Sequence, residues 1–321
     1  MQSSTIILNA PVRSLEMLEL QIAARATEVY VGLACDELRE LTFNARGRTY
    51  DEVPCQVASI RLLRSIVAEA HLAGLRVNFS ANSALVAPEL RVAFVDQVRA
   101  ALDAGCDELI LGNLGLAQHL RDVGIAAPMT AGLMMHVGTA AYASYLAREL
   151  NVHRVVLPHA MKLGEVAAFA AIPELLVEVP AHTGAGNSCG RCMLDTTAMA
   201  AWGSGCRATY EVAAPDGERL GEVAFLDGAA DCSLCSVGDL LREGVRAFKI
   251  PGRESPNLRM NAKLTQLYRK MIDDALLEKP VATSVQEIDR VELSWQMRWV
   301  PRFCNDNRCK YRQTPFTNTY V

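Results

Sequence analysis

Long hydrophobic runs are missing from this sequence: no apolar stretch reaches the roughly 20 residues that a bilayer span requires. Nor do the first residues join a basic start to an apolar run and a small-residue cleavage site. These absences predict a soluble, cytoplasmic protein with no membrane span. Charge of one sign is lacking as well. The formal net charge is −4 and the sequence pI about 5.9, which gives no general attraction to a polyanion, although the tail from Arg298 to Arg312 is locally basic. Nucleic acid is therefore the less expected partner and a small molecule the more expected one. Low-complexity segments and a glycine-rich phosphate loop are absent. So is a His-Glu-x-x-His helix, which removes the commonest zinc-peptidase arrangement.

What is present is ample apolar material, half of 321 residues, enough for one large α/β domain or two ordinary ones. Short β-branched or apolar runs alternate with stretches of helical spacing, the pattern that βαβ units produce. The runs are Thr5 to Asn9, Glu28 to Leu33, Arg76 to Asn82, Glu108 to Asn113, Met129 to Met135, Arg154 to Pro158, Leu175 to Pro180 and Val245 to Pro251. Helices are expected over Pro88 to Ala104, Gly138 to Leu150 and Asn257 to Leu277. Eight such units predict an α/β fold, a (β/α)8 TIM-like barrel, with a doubly wound sheet as the alternative.

Two intervals between strands are much longer than the rest, and excess length in a compact fold usually marks functional loops. One follows strand two and carries Cys35, Asn44 and Arg46; the other separates strands seven and eight. The expected organisation is a barrel over 1–279, with a cysteine-rich insertion at 181–244, and a C-terminal extension over 280–321 that holds Trp295, Trp299, Cys304 and Cys309. Asn82, Asn113, His136, His159 and His182 each fall where a strand hands over to its loop, so a polar pocket is expected on that rim.

Five of the ten cysteines, Cys189, Cys192, Cys206, Cys232 and Cys235, fall in or beside the second long loop. In a reducing compartment such a cluster argues for metal ligation, redox chemistry or plain burial rather than for disulfides. Two cysteines separated by two residues can present both sulfurs to one metal, and Arg191 between Cys189 and Cys192 favours thiolate over thiol. By spacing alone, the pairs 189 with 192 and 232 with 235 suit zinc as well as an iron–sulfur cluster. Cys55 and Cys106, in or beside predicted helices, read as buried apolar residues.

Ordered motifs narrow these alternatives. Val29-Tyr30-Val31-Gly32-Leu33 with Asn44-Ala45-Arg46, Arg154 to Pro158, Glu178-Val179 with His182, Gly190-Arg191-Cys192-Met193-Leu194 and Phe248-Lys249-Ile250-Pro251-Gly252-Arg253 together resemble the collagenase-like peptidase family. The resemblance spans about Val29 to Arg259. It departs from the family pattern at Pro251, where a glutamate is usual, and in a longer spacing from His182 to Cys189. Members of that family include oxygen-independent hydroxylases of ubiquinone biosynthesis and prephenate-dependent hydroxylases of RNA, which carry a 4Fe-4S cluster.

The resemblance implies cluster ligands at Cys189, Cys192 and Cys206, with the fourth at Cys232 in preference to Cys235 or Cys35. It implies an oxygen-independent hydroxylase of an aromatic or isoprenoid-quinone-type small molecule, with prephenate as candidate hydroxyl donor and a paralogous subunit as candidate partner. RNA-base hydroxylation, a non-catalytic iron–sulfur subunit and peptidase action are the alternatives. His182, Lys249 and Arg253 are the expected catalytic groups and Asn44, Arg46, Glu178 and His159 the expected substrate-binding ones: fixed cations suit a dicarboxylate, and imidazole titrates near neutral pH.

Overall fold

The computed structural model describes residues 6–39, 55–83, 86–182, 210–223, 232–291 and 309–311. Eight parallel strands close into a barrel: β1 (Ile7–Pro11), β2 (Glu28–Val31), β3 (Arg76–Ala81), β4 (Glu108–Leu111), β5 (Met129–Ala131), β6 (Val152–Val156), β7 (Leu176–Pro180) and, after the antiparallel hairpin of β8 (Tyr210–Ala213) with β9 (Arg219–Val223), the closing strand β10 (Ala247–Lys249). β10 lies between β7 and β1, and β2 completes the ring against β1. This is the expected (β/α)8 architecture.

Successive residues of each strand point to opposite faces, and the two faces have different destinations. Val29, Val31, Val77, Phe79, Leu109, Leu111, Val177, Val179 and Phe248 face the helical layer at 0–1 % exposure, each worth roughly 1.5–3 kcal/mol of apolar burial. The opposite positions, including Asn9, Glu28, Asn78, Glu108, Thr130, Arg154 and Glu178, turn into the barrel and are equally buried. A parallel barrel is ordinarily filled with branched apolar side chains, so this polar filling is a departure.

The surrounding helices are α1 (Leu15–Ala23), α2 (Asp36–Arg39), α3 (Ile60–Leu72), α4 (Arg91–Asp103), α5 (Leu114–Asp122), α6 (Ala140–Leu150), α7 (Leu163–Ala170), α8 (Val237–Arg242), α9 (Leu258–Leu276) and α10 (Val281–Val291). Ser14, Ser59, Asn113, Thr139 and Asn257 start five of them, each side chain accepting a backbone N–H three residues on. Such a cap contributes about 1 kcal/mol. Asn113 is thereby committed to the helix start rather than to the polar rim. The α9 helix packs on α1, α8 and α10, and Lys270 and Lys279 both pair with Glu287 of α10. No helix among the described residues is long and apolar enough to cross a membrane.

Candidate active site

Arg154, on the inward face of β6, is 1 % exposed and lies among three buried carboxylates. Its guanidinium donates to both oxygens of Glu28 (2.7 and 3.0 Å), to Glu108 (3.2 Å) and to Glu178 (3.3 Å). Burial by itself disfavours the charged guanidinium, but the three glutamates outweigh it and hold the proton more tightly than usual. Burial likewise pushes the Glu108 carboxyl upward; the His153 hydrogen bond, Arg154 and the Thr130 hydroxyl outweigh that and hold it at about 2. Asn78 donates to Glu28 (2.8 Å) and Asn9 to Glu178 (3.1 Å), so the carboxylates are fixed in orientation.

Above this network stands Lys249, the last residue of β10. Its Nζ is buried, makes no hydrogen bond to any described residue, lies 3.9 Å from Glu178 Oε1 and sits 4.0 Å from the centroid of the Tyr30 ring. Burial first, then the charges of Arg154 and Arg253, lower its pKa, against the opposing pull of Glu178 and Glu108. Arg253, 3 % exposed, places its guanidinium carbon 5.7 Å from the same ring. Tyr30 is held in turn by its hydroxyl, which donates to Ile250 O at 2.9 Å.

The turn that delivers Arg253 needs Gly252, whose φ of +121° is a backbone state that L side chains rarely adopt. Space for the guanidinium needs Gly32: a Cβ there would stand 2.3 Å from Arg253 Nη1 and 1.8 Å from Gln56 Oε1. Arg13 donates to the carbonyls of Arg253 and Ser255 and ties the turn to the end of β1.

On the β6–β7 side of the mouth, three segments meet. His182, 1 % exposed, bridges backbone to backbone with Cys232, and Cys232 bridges in parallel with Cys309. The tail thus returns to the barrel, and Lys310 donates through its backbone to Cys232 O (3.0 Å) and through Nζ to Pro180 O (2.9 Å). Lys310 Nζ also lies 2.8 Å from His159 Nδ1. Tyr268 of α9 packs edge-on to His182 at 6.1 Å between ring centroids, and its hydroxyl donates to Ala181 O. Burial, followed by the neighbouring Cys232, raises the Tyr268 pKa well above its usual value.

Of the residues expected from sequence, Lys249, Arg253 and Glu178 come together on the β7–β10 side, and His159, His182 and Cys232 gather beside them. Asn44, Arg46, Cys189, Cys192, Cys206 and Cys304 lie outside the described residues. Cys35 stands after β2, where burial raises its pKa and its thiol lies 3.6 Å from Glu37. Cys55 and Cys106 are buried at 3 % and 6 %, as expected. Among the described residues, no three histidine, cysteine or carboxylate side chains converge as a metal site would require.

The model of peptidase family U32 matches residues 13–307. The chain belongs to that family. Among solved structures it is similar to the U32 peptidase Mk0906, at 15 % identity over 56 % of this chain and 70 % of that one, with a TM-score of 0.42. It is also similar to N-(5'-phosphoribosyl)anthranilate isomerase from Pyrococcus furiosus (12 % identity, 84 % of this chain and 99 % of that one, TM-score 0.43) and to the YdjI aldolase from Escherichia coli K12 (9 %, 86 % and 90 %, 0.43). Among curated proteins none matches the chain.

Sequence reasoning missed Glu28, Glu108, Arg154, Tyr30, Tyr268 and Lys310 as parts of this U32 site. The first three carried a readable signal: Glu28 and Glu108 open the largely apolar β2 and β4 and Arg154 lies within β6, each on the side that alternation assigns to the barrel interior. Lys310 carried none beyond its place next to Cys309.

Proposed function

We propose that this U32-family chain is an iron–sulfur-dependent, oxygen-independent hydroxylase of an aromatic or isoprenoid-quinone-type small molecule, with prephenate as hydroxyl donor. The observation that carries the reading is the meeting of Cys232, His182 and Cys309 at a barrel mouth that also holds Lys249, Arg253 and Lys310. Soft thiols beside fixed cations suit a cluster next to a carboxylate-bearing substrate. In this reading Cys189, Cys192, Cys206 and Cys232 hold a 4Fe-4S cluster. When bound, the cluster supplies electron transfer or a hold on the reacting group.

The chain's own residues do the rest. Arg253 grips a substrate carboxylate, with Arg46 and Asn44 as further donors from the loop after β2. His182 moves a proton at the edge of the cluster loop, and His159 takes its place in the pocket wall with Lys310 on its Nδ1. Glu178, tied to Asn9 and Arg154, fixes the electrostatics beneath Lys249. Cluster-replete protein, alone and with its paralogous partner, incubated with prephenate and candidate aromatics under nitrogen, is expected to yield a product one oxygen heavier by mass spectrometry. Absence of that product with both preparations would remove the reading.

The family's description favours a second reading, peptide hydrolysis. Turnover of a fluorogenic gelatin or peptide library, abolished by Arg253→Ala, would support it over hydroxylation.

A further inference from the structure

Lys249 is unusual in having a buried amine that no carboxylate or carbonyl among the described residues engages at hydrogen-bonding distance. Glu178 Oε1, its closest counter-charge, stays at 3.9 Å because Asn9 Nδ2 already donates to that oxygen and Arg154 to the other. A lysine serving only to neutralise Glu178 would be expected to close that gap, since a short charge-assisted bond is worth more than a long one. Instead the amine is held upright on the Tyr30 face, at the C-terminal end of the barrel, with Arg253 on the same ring. Desolvation beside a second cation is the environment that turns a lysine into a nucleophile towards carbonyl carbon.

We infer that Lys249 is a carbonyl-reactive amine that forms an imine with a 2-oxo acid, whose carboxylate is received by Arg253. The reaction conserves electrons. The amine nitrogen bonds to the carbonyl carbon, the carbonyl oxygen leaves as water, and the two protons that water carries away come from the nitrogen. The lowered pKa of Lys249, set first by burial and then by Arg154 and Arg253, increases the fraction of reactive free amine.

The inference deepens the proposed function and rests on it for one substrate, because prephenate carries a 2-oxo acid arm; simpler 2-oxo acids test it without that reading. Anaerobically purified full-length protein is incubated with pyruvate, and separately with prephenate, in the presence of sodium borohydride, then digested and mapped by mass spectrometry. The expected result is one reduced adduct per chain on Lys249, little on exposed Lys162, and loss of the adduct in Lys249→Arg, which keeps the cation. Mapping in the unsubstituted protein makes the result independent of whether the variant folds. Labelling of Lys162 equal to that of Lys249, or no adduct on Lys249 with either acid, overturns the inference. An oxygenated product without an adduct overturns it while leaving hydroxylation standing. An adduct without any oxygenated product supports the imine and removes the hydroxylase reading.

Discussion

Replacing Arg154 with Met would leave Glu28, Glu108 and Glu178 in the barrel interior without the guanidinium to which all three are bonded. Four N–H···O contacts of 2.7–3.3 Å disappear. Among the described residues, Lys249 remains 3.9 Å from Glu178, and Arg76 (3.8 Å) and the His153 ring (3.3 Å) remain at Glu108. Methionine occupies much of the same space, so the cavity contribution is small and the cost is that of buried charge left uncompensated, about 3–5 kcal/mol. That is a large part of the roughly 5–15 kcal/mol by which a domain is stable.

The sign of the pH dependence follows from the same geometry. Without Arg154, burial in the folded barrel favours the neutral acids over the carboxylates, so the penalty is absent where they are protonated in both states and grows as pH rises and ionisation opposes folding. The deficit of Arg154→Met relative to the parent should therefore be largest above neutrality and should narrow as pH falls toward about 5. Urea unfolding followed by circular dichroism across that range measures it. Adding Glu28→Gln and Glu178→Gln to Arg154→Met should recover part of the loss. A deficit under about 1 kcal/mol at neutral pH, or one that does not change with pH, would refute the reasoning.

Three further outcomes are expected. Because the ionised form of Glu108 is favoured down to about 2 against an ordinary 4.5, its contribution, on the order of 3 kcal/mol, is complete above that ordinary value and is lost as pH falls from 4.5 to about 2; Glu108→Gln should flatten the acid limb of the unfolding curve, and an unchanged limb would contradict this. Gly32→Ala should displace the Arg253 guanidinium and the Gln56 amide, both movable side-chain ends, weakening carboxylate substrate binding about tenfold while stability changes by less than about 1 kcal/mol; titration calorimetry with unchanged affinity would count against Arg253 as the carboxylate anchor. Tyr268→Phe removes the hydroxyl that Ala181 O and Ser233 N–H both engage, at a cost of about 1–3 kcal/mol in thermal unfolding; no measurable change would mean that these buried groups find other partners.

The barrel was legible because parallel strands bury both faces and so stand out as short apolar runs, even where one face is polar. Boundaries were less so. The run Met129 to Met135 reads as one strand, yet β5 stops at Ala131 and a 3-10 turn over Leu133–Met135 ends in the left-handed His136, φ 49°. Gly132 marks the change, since a Cβ there would stand 2.8 Å from Ile110 Cγ2 and 3.0 Å from Leu111 O. The β8–β9 hairpin carried a local signal that the cysteines overshadowed: Pro215-Asp216-Gly217 is a turn sequence, and Gly217 takes φ 90° there.

For the candidate site, residue type pointed to Lys249, Arg253, His159, His182 and Cys232, because each stands just at or beyond a strand end or in the cysteine-rich insertion. Their companions escaped for physical reasons. Glu28, Glu108 and Arg154 stand out singly as charges in short strands, but their pairing appears only once three strands are assembled, and the seat of Lys310 on Pro180 and His159 depends on a chain reversal of 130 to 151 residues in sequence. Local pattern cannot encode contacts of that range.

In the proposed function, distant cysteines share one iron–sulfur cluster at the barrel mouth. Iron and acid-labile sulfide, quantified per chain after anaerobic purification, test it most directly. About four of each are expected per chain, with loss of both in Cys192→Ser and Cys232→Ser. Stoichiometric zinc without sulfide in the parent protein, or an undiminished cluster in those variants, would contradict it.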